Sequence, residues 1–252
     1  MKPESFDMNE EIKLLLKQFK LPDIYEKYDE EVQDAIDKNT GYREFLYKLL
    51  KIEEQGKNER LKLKNIKNAH FSDYKTIDDF NFNFPKSINQ SKIKDLATLS
   101  FMDKRENIIF IGPPGVGKSH LATALGITAC EEGKTALFVN AIELMDDLYN
   151  SIAEGTLKQK LNKLSKVNLL IIDELGYLKM DKEKESIFFQ LIRQRYEKSS
   201  LIITTNLTFN RWDEIFTSEI AATAILDRLL HHSHVISITG DSYRVKTHFK
   251  ED

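Results

Sequence analysis

The sequence is short of several things, and each shortage excludes something. One cysteine, Cys130, in 252 residues permits no intrachain disulfide and no structural zinc cluster. No apolar run nears the ~20 residues that a membrane-spanning helix needs. The first residues, MKPESFDMNEEIK, are charged and lack an apolar stretch, so they do not read as a secretory signal. The cytoplasm is the expected location. Charge of either sign is also scarce in excess. The net value is −3, so a polyanionic partner would have to be met by local clusters of lysine and arginine. What is present suits a soluble globular protein, with 41% hydrophobic and 31% charged residues. The length fits one large domain, or a mid-sized domain with a small one.

Two textures divide the chain. Residues 9–70 carry helical periodicity, with Ile12, Leu15, Leu16 and Phe19 on one stripe and Phe45, Leu46, Leu49 and Leu50 on another. Pro22, Gly41 and Gly56 read as helix punctuation. The end of this region is basic: Lys57, Arg60, Lys62, Lys64 and Lys67 stand against Glu59. Such a run is either a solvated helix face or a surface that neutralises nucleic-acid phosphates. A polar connector with Phe80, Phe82 and Phe84 follows. From there strand-like runs (108–111, 135–139, 169–172, 201–205 and 234–238) alternate with helical ones (118–131, 141–150, 157–165, 182–198 and about 210–230). This alternation predicts an α/β fold, a five-stranded parallel sheet with helices on both faces. The expected domains are a helical one over 1–70 and an α/β one over 71–252.

The first strand runs into Gly112, Pro113, Pro114, Gly115, Val116, Gly117, Lys118 and Ser119, which match the phosphate-loop pattern G-x-x-x-x-G-K-[ST] at every fixed position. The glycines let the backbone N–H groups turn inward around phosphates, and the following helix adds its positive N-terminal end. Lys118 reaches the β- and γ-phosphates of a nucleotide, and the Ser119 hydroxyl ligates Mg2+. Downstream, NLLIIDE is an apolar strand ending in Asp173 and Glu174. Asp173 suits the magnesium site, and Glu174 is placed to polarise an attacking water. ATP with Mg2+ is therefore the expected ligand, and ATP hydrolysis the expected reaction. Asn206 closes another strand, as a water-positioning residue or as a turn asparagine. Arg228, late on a helix, is either locally paired with Asp227 or Glu219 or an arginine finger for a neighbouring subunit. His231, His232 and His234 match no usual zinc spacing and read as helix-end residues. Phe80, Phe82 and Phe84 read as connector packing, with one of them near the adenine as the other option. Trp212 and Cys130 read as packing residues.

Taken in order, GPPGVGKSH, LLIIDELGYL, LIITTN, AILDRLLHHS and DSYR resemble the AAA+ ATPases of the DnaC and IstB group. The stretch EFLYKLLKIEEQGKNERLKLKNIKNAHFSDYKTIDDFNFNF is similar to the IstB N-terminal region rather than to a helicase loader's. The resemblance implies that the strand before Asn206 lies between the phosphate-loop strand and the Asp173 strand. It implies that Asn206 is sensor 1, that Arg228 is the arginine finger, and that His120 belongs to the nucleotide loop. It implies ATP-dependent self-association into a ring or spiral on double-stranded DNA, with Lys57, Arg60, Lys62, Lys64 and Lys67 on the DNA, and recruitment of a cognate transposase. The group lacks a helical lid, and the chain ends at Asp252 with no room for one. That leaves Arg244, in DSYR, where a second sensor would be sought but without the lid that normally carries one. A helicase loader of DnaC type is the nearest rival, and a nucleotide-dependent scaffold with little turnover a remoter one.

Overall fold

The computed structural model describes residues 7–84 and 87–243. The chain divides into two compact units, 1–62 and 63–252. No helix among the described residues is long and apolar enough to cross a membrane.

The first unit holds α1 (Met8–Gln18), α2 (Pro22–Asp37) and most of α3 (Tyr42–Asn68), which runs on through the division. Asp7 caps α1 by accepting from Asn9 N and Glu10 N. The start of α2 has no such cap, because Leu21 precedes Pro22. The buried Glu53 of α3 takes that role and accepts from the Asp23 and Ile24 amides at 3.0 and 3.2 Å. A carboxylate at a helix N-terminus meets both the orphan donors and the positive end of the helix. Gly56 does not end the third helix as the sequence suggested, since α3 continues twelve residues beyond it to Asn68. It serves close approach instead: a Cβ there would lie 2.1 Å from Asp23 Oδ1.

The second unit contains the sheet. Its strands are β1 (Asn107–Ile111), β2 (Ala136–Asn140), β3 (Leu169–Asp173), β4 (Ser200–Thr205) and β5 (Ser233–Ser237). They are all parallel and run in the order β2-β3-β4-β1-β5. β3 and β4 are buried along their whole length, as expected where helices cover both faces of a parallel sheet. Alternate residues feed two cores. Ile109, Ile111, Leu170, Ile172, Leu201 and Ile203 pack with Trp212, Phe188 and Met145 on one face. Ile108, Phe110, Leu169, Ile171 and Ile202 pack with Leu121, Leu125 and Phe101 on the other. The second face is covered by α4 (Gln90–Leu96), α5 (Ser100–Asp103) and α6 (Lys118–Glu131). The first lies under α7 (Ala141–Ala153), α8 (Leu157–Lys166), α9 (Lys182–Arg195) and α10 (Glu219–Leu230).

The expected fold is thus found, with several element bounds shifted; two shifts have a clear local cause. The run about 210–230 splits into a 3-10 turn, Phe209–Glu214, and α10. The split is held by Ser218, which caps α10, and by Glu185, which accepts from Thr217 N and Oγ1 at 2.6 and 2.9 Å. α9 stops at Arg195 rather than 198, because Tyr196 is extended and Glu197 is left-handed (φ 56).

Arg195 itself is buried and has no carboxylate partner among the described residues. It donates to the carbonyls of Leu164, Val167 and Ser200 at 2.5, 3.0 and 2.6 Å, tying the end of α8 to the start of β4. Burial pushes its pKa down to about 10, so it stays protonated at neutral pH. Replacing Arg195 with Leu would leave three carbonyls without this donor, at ~1–3 kcal/mol for each group left unsatisfied, partly offset by removal of a buried charge. A net loss of ~3 kcal/mol is expected, seen in thermal unfolding as a fall of about 6–12 °C. No change in melting temperature would show that the clamp contributes nothing.

Candidate active site

The loop between β1 and α6 lies at the carboxyl end of β1, where the chain leaves the sheet towards β2 on one side and later returns to β5 on the other. Open α/β sheets bind ligands at such a reversal. Gly117 adopts φ 96, a left-handed conformation that turns the loop into α6. A cavity of about 330 Å³ opens over this loop. Pro114, Gly115, Val116, Gly117, Lys118, Ser119 and His120 line it, all of them expected site residues. Gly112 and Pro113 contribute their carbonyls, each accepting from Lys118 Nζ at 2.8 Å.

The strand ends converge on the loop. Asp173 ends β3 and is buried, and β4 separates it from β1. The gap is spanned by hydroxyls: Ser119 Oγ donates to Asp173 Oδ1 at 2.8 Å, and Thr204 Oγ1 to the same oxygen at 2.5 Å. Thr204 Oγ1 also accepts from the Glu174 amide at 2.9 Å. Glu174 has a left-handed backbone (φ 62), unusual for a residue with a Cβ and a strain of the kind that gathers at functional sites. It lines the cavity, and its Oε2 accepts from Asn140 Nδ2 at 3.1 Å, at the end of β2. Asn206, directly after β4, also lines the cavity. Its Oδ1 is buried and accepts no hydrogen bond among the described residues. A buried acceptor without a donor costs free energy unless something supplies one.

These observations fit Mg2+ and a nucleotide. The ion takes hard oxygen donors and keeps several waters. Ser119 Oγ and Asp173 Oδ1 are such donors, and among the described residues Asp173 has no cationic partner. The other end of the cavity is aromatic. Phe80 packs on His120 with centroids 5.4 Å apart, and Phe84 on Tyr243 at the same distance. His120 is held by the Thr76 carbonyl, 3.0 Å from its Nε2. Asp79, also on the wall, is kept below the usual carboxylate range by hydrogen bonds from the Thr76 hydroxyl and amide. Phe80 is thus both a buried packing residue and part of the cavity wall.

The remaining candidates lie elsewhere. Arg228 donates to Ala224 O at 2.7 Å and sits 4.7 Å over the Phe189 ring. It forms no ion pair among the described residues and does not line the cavity of its own chain. Its neighbour Leu229 accepts from Asn107 Nδ2, at the start of β1 rather than its loop end. Lys57, Arg60, Lys62, Lys64 and Lys67 are all exposed on α3. Arg60 is engaged, with Asp23 at 2.6 Å and Glu53 at 3.3 Å, whereas the four lysines form no ion pair among the described residues. Arg244 lies outside the described residues.

Thr204, Asn140 and the wall residue Asp79 escaped the sequence reading. The paired threonines before Asn206 held a signal for Thr204, since a strand between two functional strands must offer a polar side chain at its end. Asn140 had none, because only the register of Asn140 opposite Asp173 brings it to Glu174.

A family model described as IstB-like ATP binding protein matches residues 14–251. An insertion sequence IS21 ATP-binding protein of Pseudomonas aeruginosa is 41% identical over 94% of this chain and 89% of its own. An insertion sequence IS232 ATP-binding protein of Bacillus thuringiensis subsp. berliner is 41% identical over 94% and 95%. Among solved structures, DnaI has a similar fold, with a TM-score of 0.57 at 23% identity over 66% of this chain and 91% of that one.

Proposed function

We propose that this chain, which belongs to the IstB-like ATP binding proteins, binds and hydrolyses ATP with Mg2+ and uses that cycle to assemble on duplex DNA and assist a transposase. The observation that carries the ATPase half is the convergence of Ser119, Asp173, Glu174, Thr204 and Asn206 on one phosphate loop. The insertion-sequence relatives support the transposition half and favour it over helicase loading.

Backbone amides of the loop and Lys118 hold the phosphates, and Ser119 with Asp173 would hold Mg2+. Bound there, the ion neutralises charge on the β- and γ-phosphates. Thr204 fixes both the Asp173 carboxylate and the Glu174 backbone, so the two acids are set by one hydroxyl. Glu174 takes a proton from the attacking water once its carboxylate turns from Asn140 to the γ-phosphate. Asn206 orients that water. Arg228, remote from its own cavity, would complete the site of a neighbouring subunit, so that nucleotide and assembly become coupled.

The DNA contact is assigned to α3. Lys57, Arg60, Lys64 and Lys67 follow the 3-4-3 spacing of one helical face, and Lys62 lies off it. Arg60, already paired, contributes least. A variant with all five replaced by Ala is expected to lose affinity for mixed-sequence duplex in fluorescence anisotropy. Each lost phosphate contact removes about 0.9 from the slope of log K against log salt, so a change of about 3–4 is expected. Unchanged affinity at moderate salt would sink this assignment.

A further inference from the structure

We propose that Glu197, His231 and His232 form a binding site for a first-row divalent metal, Zn2+ by preference, separate from the nucleotide site. Each residue brings one ligand atom to within 4.8 Å of the other two. Glu197 Oε1 lies 3.6 Å from His232 Nε2 and 4.0 Å from His231 Nδ1. Tetrahedral zinc with bonds of ~2.0–2.2 Å sets its donors roughly 3.3–3.5 Å apart, so only a small closure of exposed side chains is needed.

The surroundings hold these donors in place. Glu197 occupies the left-handed turn after α9, where its carbonyl accepts from Arg105 Nη1 at 2.9 Å. His231 and His232 leave the end of α10 in the opposite wall of the cluster. The Tyr196 ring stacks on the His231 imidazole at 6.0 Å, and its hydroxyl, 2.8 Å from Nδ1, would give up that nitrogen to the metal. The two imidazole rings lie 4.1 Å apart, so both can face one ion. Among the described residues, Glu197 has no lysine or arginine on its carboxylate, so its charge is available to a cation. Two imidazoles and one carboxylate suit zinc better than Mg2+, which prefers oxygen donors throughout. All three side chains are exposed, so an ion could reach them from solvent.

The spacing of the histidines alone matched no zinc pattern. The missing ligand comes from 34 residues upstream, on a turn that meets α10 only in the fold. A metal here would pin the end of α9 to the junction of α10 and β5, three residues after Arg228. It would therefore stiffen the helix end that carries Arg228.

The test uses the untagged full chain, freed of metal, in buffer with millimolar Mg2+ to occupy the oxygen site and with no nucleotide. Titration with Zn2+ by calorimetry, and with Co2+ followed in the visible spectrum, is expected to show one equivalent bound with micromolar Kd. The His231→Ala/His232→Ala pair and Glu197→Gln should each weaken it at least tenfold, and wild-type melting temperature should rise with Zn2+ while that of the pair does not. Binding seen only at millimolar Zn2+, or unchanged binding in the double variant, would overturn the proposal. Circular dichroism of the variants separates loss of the site from loss of the fold.

Discussion

Replacing Lys118 with Ala should abolish ATP hydrolysis and weaken ATP binding by roughly 10–100-fold, the cost of ~1.5–3 kcal/mol for a hydrogen bond to a charged group. The lysine is held 2.8 Å from two carbonyls of its own loop, Gly112 and Pro113, so its ammonium lies beside the curl that takes the phosphates. Its loss removes the one side-chain cation of the loop itself while the amides remain, which is why binding weakens rather than vanishes. The fold should survive, because the aliphatic stem is only half-buried. If Arg228 acts between subunits, a mixture of Lys118→Ala and Arg228→Ala chains should recover part of the activity that each lacks alone. A Lys118→Ala chain that hydrolyses ATP at the wild-type rate would refute the site, as measured by phosphate release with binding followed by a fluorescent nucleotide.

Why some of this was readable in advance is a matter of distance along the chain. The phosphate loop is local: strand, glycines, lysine and helix occupy one stretch, and α6 begins at Lys118 as the pattern requires. The five strands were legible because a sheet covered on both faces needs continuous apolar runs. Asp173 stood out as an acid ending such a run. The strand order placing β4 between β1 and β3 came from the family resemblance, not from the runs themselves. Features made by register or by tertiary approach left little trace. Asn140 reaches Glu174 through the β2–β3 register, and Glu53 caps α2 from 30 residues away. Gly56 misled for a related reason. A glycine inside a helix looks like an ending until the helix that crosses it is known. Arg60 read as one of five equal cations, yet Asp23 and Glu53 already claim it.

The second large effect concerns Glu174. Exchange for Gln removes the base but keeps the shape, so ATP and Mg2+ should bind with near wild-type affinity while turnover falls by about 10²–10⁴-fold, the usual contribution of a positioned general base. The geometry gives the reason for expecting separation of the two effects. Asp173 and Ser119, not Glu174, form the oxygen pair at the loop. Glu174 stands one residue on, turned by its left-handed backbone towards the cavity and held at its carboxylate by Asn140. The glutamine can still meet Asn140, through its amide oxygen, so the resting arrangement should persist. A chain locked in the ATP-bound state should also stay longer on duplex DNA if nucleotide and assembly are coupled.

The most direct measurement of the central claim is phosphate release from Mg-ATP by wild-type and Glu174→Gln chains at equal, saturating nucleotide, with bound ATP quantified in the same samples. The expected result is equal occupancy, steady release by the wild type that EDTA stops, and release by the variant lower by at least 100-fold. Equal release from the two chains, or full occupancy with no release from the wild type, would contradict the account of this site as an ATPase.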